Sequence, residues 1–117
     1  MSGMVSYLSG IAAEDCVART YEDAGRQVVF RRWRGKRGEI DLIVRDRGEV
    51  IFVEVKKSRD FQRAAEALSK AQIKRLYLTA AEFLCGEPKG DLTPSRFDVA
   101  LVNGAGEVQI VENALGY

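Results

Sequence analysis

The chain has 117 residues, 46% of them hydrophobic and 30% charged, with 18 Lys and Arg against 17 Asp and Glu. This length suits one domain with its own core, residues 1–117, and no apolar run is long enough to cross a membrane. The chain has no histidine, which excludes Ser-His-Asp and Cys-His catalysis and most zinc sites. Any metal must therefore bind oxygen ligands, which favours Mg²⁺ or Mn²⁺.

The apolar patterns predict the following elements in chain order: a helix over 4–23, strands over 27–33, 39–45 and 50–56, a long helix over 61–84, a strand over 96–103 and an edge strand over 108–111. Gly25 is placed to end the first helix, and Asp46-Arg47-Gly48-Glu49 predicts a tight turn. The order is that of an α/β domain with an α-β-β-β-α-β core and a mixed sheet, in which the long helix links two parallel strands.

Two further patterns bear on the compartment of the protein. Cys16 and Cys85 lie far apart in helical patterns and are predicted to be buried thiols rather than a disulfide. The first ten residues lack the basic and then apolar segments of a signal peptide. Both patterns predict a cytoplasmic protein.

Charge is distributed unevenly along the chain. Residues 26–75 hold 15 of the 18 cations and 7 of the 17 acids, a local balance of +8, and Arg31 to Arg37 has five cations around Trp33. A basic surface of this kind is typical of proteins that bind polyanions, and a solvated charge run is the equally weighted alternative.

Two acids lie within otherwise apolar strands. If Arg47-Gly48 is a two-residue turn, Asp41 lies directly opposite Glu54, with Cβ atoms roughly 5 Å apart. The same register places Ile40, Leu42 and Val44 on the opposite, apolar face. Two such close carboxylates repel each other unless a proton or a cation lies between them.

Lys56 lies two residues after Glu54 on the same predicted face, with Glu39 also on that face. Lys56 could orient an attacking water or neutralise charge on a phosphate. A surface salt-bridge cluster is the alternative without a catalytic role. Charges inside apolar strands are costly unless they are paired or metal-bound, which favours a functional site.

These residues resemble a known pattern. An Asp on one strand followed by Glu-x-Lys on the next is similar to the PD-(D/E)xK nuclease superfamily, with its restriction-endonuclease-like fold. More narrowly, the chain resembles the YraN family of small bacterial proteins, which are predicted endonucleases. The matching segments are Gly10-x-x-Ala13-Glu14, Arg37-Gly38-Glu39-Ile40-Asp41-Leu42-Ile43, Phe52-Val53-Glu54-Val55-Lys56, Lys74-Arg75-Leu76 and Arg96-Phe97-Asp98-Val99.

The resemblance implies a metal-dependent endonuclease acting on DNA. It implies that Asp41 and Glu54 bind Mg²⁺ or Mn²⁺, that Lys56 is the catalytic lysine, and that Glu14 is an additional acid at the site. The chain departs from the family pattern at Arg32, where members often carry Asn, at Gln72, where Lys is common, and over residues 61–64. These departures spare the acids and the lysine.

Several polar residues are candidates for nucleic-acid contacts: Arg31, Arg32, Arg34, Lys36, Arg37, Gln72, Lys74 and Arg75. The last three could instead form a solvated helix face. Trp33 could stack on an unpaired base or cover the sheet edge. Asp98, between Phe97 and Val99, is interpreted as structural.

Two functions remain open from the sequence. The first is an endonuclease, with branched or structured DNA as one candidate substrate; cutting a junction would require two active sites and hence a homodimer. The second is a nucleic-acid-binding module with a nuclease-like fold and no cleavage of its own. A structural protein without a nucleic-acid partner would leave the +8 segment unexplained.

Overall fold

A computed structural model describes residues 2–58, 60–62 and 68–115, with backbone alone for residues 2–9. The elements are α1 (Ser2–Asp23), β1 (Gln27–Arg34), β2 (Glu39–Asp46), β3 (Glu49–Lys57), α2 (Lys70–Leu84), β4 (Ser95–Val102) and β5 (Val108–Val111), with a 3₁₀ turn at Gly90–Leu92. The sheet order is β1-β2-β3-β4-β5. β3 and β4 are parallel and the other pairs antiparallel, so the predicted mixed sheet is confirmed.

α1 and α2 cover opposite faces of the sheet. Val17 and Tyr21 of α1 pack against a cluster that contains Leu42 and Val53. Phe83 of α2 packs against the other face, in a cluster that contains Phe52. None of the helices in the described ranges is both long and apolar enough to cross a membrane.

The predicted helix over 61–84 is not continuous. Phe61 and Gln62 are helical as predicted, but Leu68 and Ser69 are not, and α2 begins at Lys70. Ser69 is extended, with φ −83° and ψ 163°, and its hydroxyl accepts from the Gln72 backbone N–H while the Gln72 side chain accepts from the Ser69 N–H. This reciprocal capping satisfies two backbone donors and sets the start of α2 at that point. Residues 63–67 of the prediction lie outside the described residues.

Strand alternation is interrupted at Arg32 and Asp41, which corrects the predicted face of Ile40. Ile40 packs with Ile43 on the α2 side instead of with Leu42 and Val44 on the α1 side. Arg32 has φ 53°, the left-handed region that non-glycine residues rarely adopt. Because Trp33 still pairs with Ile40, the alternation of side chains is interrupted at the same level in β1 and in β2.

Asp98 is buried, with 1% of its surface exposed, and all its contacts are structural. Its carboxylate accepts from the Tyr21 hydroxyl at 2.8 Å, the Arg96 Nε at 3.0 Å and the Asn113 backbone N–H at 3.0 Å. Burial, and then the Asp98 charge, raise the pKa of Tyr21 far above its usual value, so the hydroxyl remains a donor. These contacts tie α1 to β4 and to the segment after β5.

The cysteine prediction is half wrong. Neither thiol forms a disulfide, but Cys85 is exposed and Cys16 is partly buried. Cys85 is the residue that follows the last turn of α2, where the chain leaves the core for the loop.

Candidate metal centre and nucleic-acid interface

The β2–β3 hairpin positions Asp41. Its register runs from Asp46 opposite Glu49 to Leu42 opposite Val53, as a two-residue turn requires, and Arg47 and Gly48 have φ values of 53° and 87°. That pair of left-handed residues is a type I′ turn, whose twist matches the strands. Beyond Leu42 the ladder ends, and Asp41 Oδ2 accepts from the Val55 backbone N–H at 2.8 Å. The Asp41 carboxylate thus lies where β2 and β3 separate.

Glu54 and Lys56 lie on β3 beside Asp41. Lys56 Nζ is 3.7 Å from Glu54 Oε2, and the two side chains are 19% and 17% exposed. The Asp41 and Glu54 carboxyl groups are within hydrogen-bonding range of each other. No donor in the described part of the chain reaches Glu54 Oε1, which is buried. The structure therefore brings the side chains of all three residues together and leaves one carboxylate oxygen available.

The surroundings of Asp41 and Glu54 disfavour a negative charge on both carboxyl groups at once. Burial is the main cause that raises the pKa of Glu54 to about 9, and the Asp41 carboxylate adds to it. The Lys56 ammonium acts in the opposite direction but more weakly. Without a cation, Glu54 holds a proton at neutral pH.

This raised pKa predicts a pH-dependent stability. Native Glu54 keeps its proton up to about pH 9, whereas the unfolded chain releases it near 4.5, so between these values the native state binds more protons. The Glu54 contribution to the free energy of unfolding must then fall as pH rises through that window. In EDTA, Glu54→Gln should have a melting temperature that increases relative to wild type from pH 5 to pH 9.

The matched control is Glu22→Gln, at an exposed position of α1. The melting-temperature difference between Glu22→Gln and wild type should not increase in this way from pH 5 to pH 9. A melting-temperature difference for Glu54→Gln that is constant from pH 5 to pH 9 would contradict the raised pKa.

Glu14 reaches the same region from α1 but is engaged by Arg32. Arg32 Nε lies 3.1 Å from Glu14 Oε1, and the Glu14 side chain is 17% exposed. Burial raises the pKa of Glu14, the Arg32 hydrogen bond opposes that shift, and the nearby Asp41 charge adds to it. Among the described residues, no three acidic or thiol side chains converge as a complete metal-ligand set. No local pattern predicts this pairing, because an arginine is not expected at a left-handed position.

The predicted nucleic-acid residues fall into three groups. Three arginines of β1 form ion pairs with acids: Arg31 with Asp15, Arg32 with Glu14, and Arg34 with Glu39. Others lie around a cavity of about 210 Å³ that reaches Glu54, lined in part by Arg37, Gln72 and Arg75. Lys36 and Lys74 are exposed.

Gly38 and α2 form the rest of this cavity. A Cβ on Gly38 would lie 3.0 Å from the Thr79 hydroxyl, so the glycine allows a close approach of the backbone to α2. Glu39, Leu76 and Thr79 also line the cavity. Leu76 was noted only as part of a matching segment, and Thr79 was not noted from the sequence. Their i, i+3 spacing on α2 was the available signal, since such residues share a helix face.

A family model matches residues 13–102, a span that includes Glu14, Asp41, Glu54 and Lys56. The chain belongs to the uncharacterised protein family UPF0102. It is 61% identical over 115 residues to a UPF0102 protein of Ruegeria pomeroyi, covering 98% of this chain and 94% of that protein. A UPF0102 protein of Cereibacter sphaeroides is 60% identical over 114 residues, covering 97% of each chain.

More divergent UPF0102 proteins also match over most of their length. The protein of Dinoroseobacter shibae is 47% identical over 111 residues, which are 95% of this chain and 83% of that one. The predicted YraN membership is therefore confirmed, since this is the UPF0102 family. UPF0102 membership by itself names no activity.

Proposed function

We propose that this UPF0102 protein is a Mg²⁺- or Mn²⁺-dependent endonuclease that hydrolyses phosphodiester bonds in DNA. The observation that carries the proposal is Glu54 Oε1, which is buried beside the Asp41 carboxylate and the Lys56 ammonium and has no donor among the described residues. A buried carboxylate oxygen without a partner is costly, and a divalent cation is one partner that satisfies it.

The donor set fits a hard cation. Asp41 and Glu54 would hold the ion through carboxylate oxygens, and Mg²⁺ commonly takes only one or two protein carboxylates and keeps waters and phosphate oxygens as its other ligands. When bound, such an ion polarises a phosphoryl oxygen and lowers the pKa of a coordinated water.

Lys56 and Asp41 have further roles in this proposal. The Lys56 ammonium, 3.7 Å from Glu54, orients a water at the site and balances negative charge that develops on the phosphate. The hydrogen bond from the Val55 N–H holds the Asp41 carboxylate in place before the substrate arrives.

Phosphate contacts are assigned to the cations beside the cavity. Arg37 and Arg75 line it, and neither forms a salt bridge within the described ranges. Arg31 is already paired with Asp15. Proteins that bind DNA release counterions in proportion to the phosphates they neutralise.

Salt dependence of binding tests this assignment. Arg37→Ala and Arg75→Ala should each lower the slope of log affinity against log salt concentration by about 1. Arg31→Ala is the matched control, and its slope should change less because Arg31 is held by Asp15. Fluorescence anisotropy with labelled DNA in EDTA gives the slopes. Equal changes for all three variants would show that the cavity is not the contact surface.

The decisive experiment is cleavage by the purified protein. Linear, nicked, flapped and four-way DNA would be incubated with Mg²⁺, with Mn²⁺ and with EDTA. Metal-dependent products that disappear in Asp41→Ala support the proposal, and the substrate that is cut fastest gives the DNA form. Cutting of four-way DNA would also require a homodimer, which sedimentation would detect. If no substrate is cut although Mn²⁺ binds and binding is lost in Asp41→Ala, the protein is instead a nucleic-acid-binding module.

A further inference from the structure

A second cavity, of about 340 Å³, lies between β1 and the C-terminal half of α2. Three aromatic rings line it, those of Phe30, Trp33 and Phe83. Phe30 and Trp33 both stand edge-on to Phe83, with centroid distances of 5.7 and 5.2 Å and interplanar angles of 76° and 89°. Phe83 is buried, whereas Phe30, which lies on the edge strand β1, is 45% exposed.

The acidic groups around these rings are engaged by partners within the chain. Glu82 accepts from the Lys36 backbone N–H at 2.8 Å, and Glu87 accepts from the Arg45 guanidinium at 2.8 Å. Both carboxylates of the cavity are thus engaged by this chain's own donors. Arg45 is itself paired with Glu87, whereas Lys36, whose backbone N–H contacts Glu82, is exposed. Aromatic rings beside an accessible cation are the combination that binds a base on a phosphate backbone.

The aromatic cavity and the Glu54 cavity lie along the same helix. Gln72 and Thr79 line the cavity that reaches Glu54, and Glu82 and Phe83 line the aromatic one. At 1.5 Å rise per residue, Gln72 and Phe83 are about 16 Å apart along α2. A stacked strand covers that distance in about five nucleotides, at 3.4 Å per nucleotide.

We propose that the Phe30–Trp33–Phe83 cavity binds an unpaired nucleobase of the strand whose phosphate lies at the Asp41–Glu54 site. A base inside a duplex cannot enter, because its faces are already stacked on its neighbours. The substrate class is therefore a strand with unpaired nucleotides close to the position that is cut. This inference rests on the proposed function for the phosphate end, but the base-binding cavity can be tested without cleavage.

Trp33 is the single tryptophan of the chain, so its fluorescence reports directly on this cavity. The full chain in EDTA would be titrated with a twelve-residue oligothymidylate, with an abasic oligomer of the same length, and with a blunt duplex. The thymidylate should quench Trp33, whereas the abasic oligomer and the duplex should bind through phosphates without comparable quenching. An oligouridylate titration distinguishes DNA from RNA as the source of the base.

Variants at Phe30 separate stacking from folding. Phe30→Leu keeps an apolar side chain but removes the ring face, and it should weaken oligothymidylate binding about tenfold, a value within the range measured for one stacked base. Phe30→Tyr should bind as wild type does. Leu92→Ala is the matched control, because Leu92 is an exposed apolar residue that does not line this cavity.

The inference is overturned by equal quenching by the abasic oligomer, by unchanged affinity in Phe30→Leu with an unchanged melting temperature, or by a dimer that is lost in Phe30→Leu. The loss of a dimer would assign the rings to a second copy of the chain. Cleavage of duplex DNA without Trp33 quenching would leave the proposed function standing and remove this inference. Quenching of Trp33 in a protein that never cleaves DNA would leave the base-binding cavity standing and remove the proposed function.

Discussion

Replacing Asp41 by alanine should abolish metal-dependent cleavage while leaving DNA affinity similar or higher. We expect a loss on the order of 10³-fold or more, since the proposed metal would lose one of its two protein ligands. DNA affinity in EDTA should not fall, because a carboxylate without its cation repels a phosphate. Cleavage rates, Mn²⁺ titration calorimetry and DNA anisotropy measure the three quantities separately.

Two further variants show whether the loss comes from chemistry. Asp41→Asn keeps an oxygen that can accept from the Val55 N–H, so it should retain the wild-type melting temperature. It should still lose cleavage, because the charge that binds the metal is gone. Lys56→Ala should also lose cleavage but keep its Mn²⁺ affinity, because an ammonium group is not a metal ligand. Wild-type cleavage in Asp41→Asn would contradict the metal site. So would wild-type Mn²⁺ affinity in Asp41→Ala.

Asp98→Ala should produce the largest loss of stability, about 3–5 kcal/mol. Asp98 is 1% exposed and is the shared acceptor of Tyr21, Arg96 and the Asn113 N–H. Its removal would leave the half-buried Arg96 guanidinium and the buried Tyr21 hydroxyl without that partner. Urea unfolding would measure the change as a lower midpoint at an unchanged slope.

The matched control is the exposed pair of Arg34 and Glu39. The Arg34 side chain is 80% exposed and lies 3.3 Å from Glu39, so Arg34→Ala should cost about 1 kcal/mol or less. Asp98→Asn should fall between the two, because it keeps an acceptor oxygen but loses the charge that Arg96 needs. An Asp98→Ala midpoint no lower than that of Arg34→Ala would show that these buried contacts do not stabilise the fold.

Much of the sheet was predictable because its signals are local. Arg47-Gly48 and the alternation of β2 and β3 together determine the hairpin register, since a one-residue slip would turn the apolar residues outward. The start of α2 was also readable in principle. Ser69 and Gln72 have the spacing of a capping box, but the apolar residues before Ser69 continued the helical pattern and outweighed that signal.

The face taken by Ile40 was not predictable from alternation. Arg32 adopts a left-handed backbone, and the pairing of Trp33 with Ile40 carries both residues to the α2 side. Arginine has no preference for that conformation, so no local pattern announces the interruption. The same interruption lies beside the contact between Arg32 and Glu14.

The sequence by itself determined the α/β class, the order of the strands along the chain, and the neighbourhood of Asp41, Glu54 and Lys56. Those features depend on side-chain period and on one two-residue turn, which act over a few residues. Only the tertiary structure decided that Arg32 engages Glu14, that Asp98 is enclosed by Tyr21 and Arg96, and that Phe30 and Trp33 meet Phe83. Each of those contacts joins residues on different elements. Burial of apolar surface brings the elements together, and because this force is non-directional, the local sequence does not show which residues will meet.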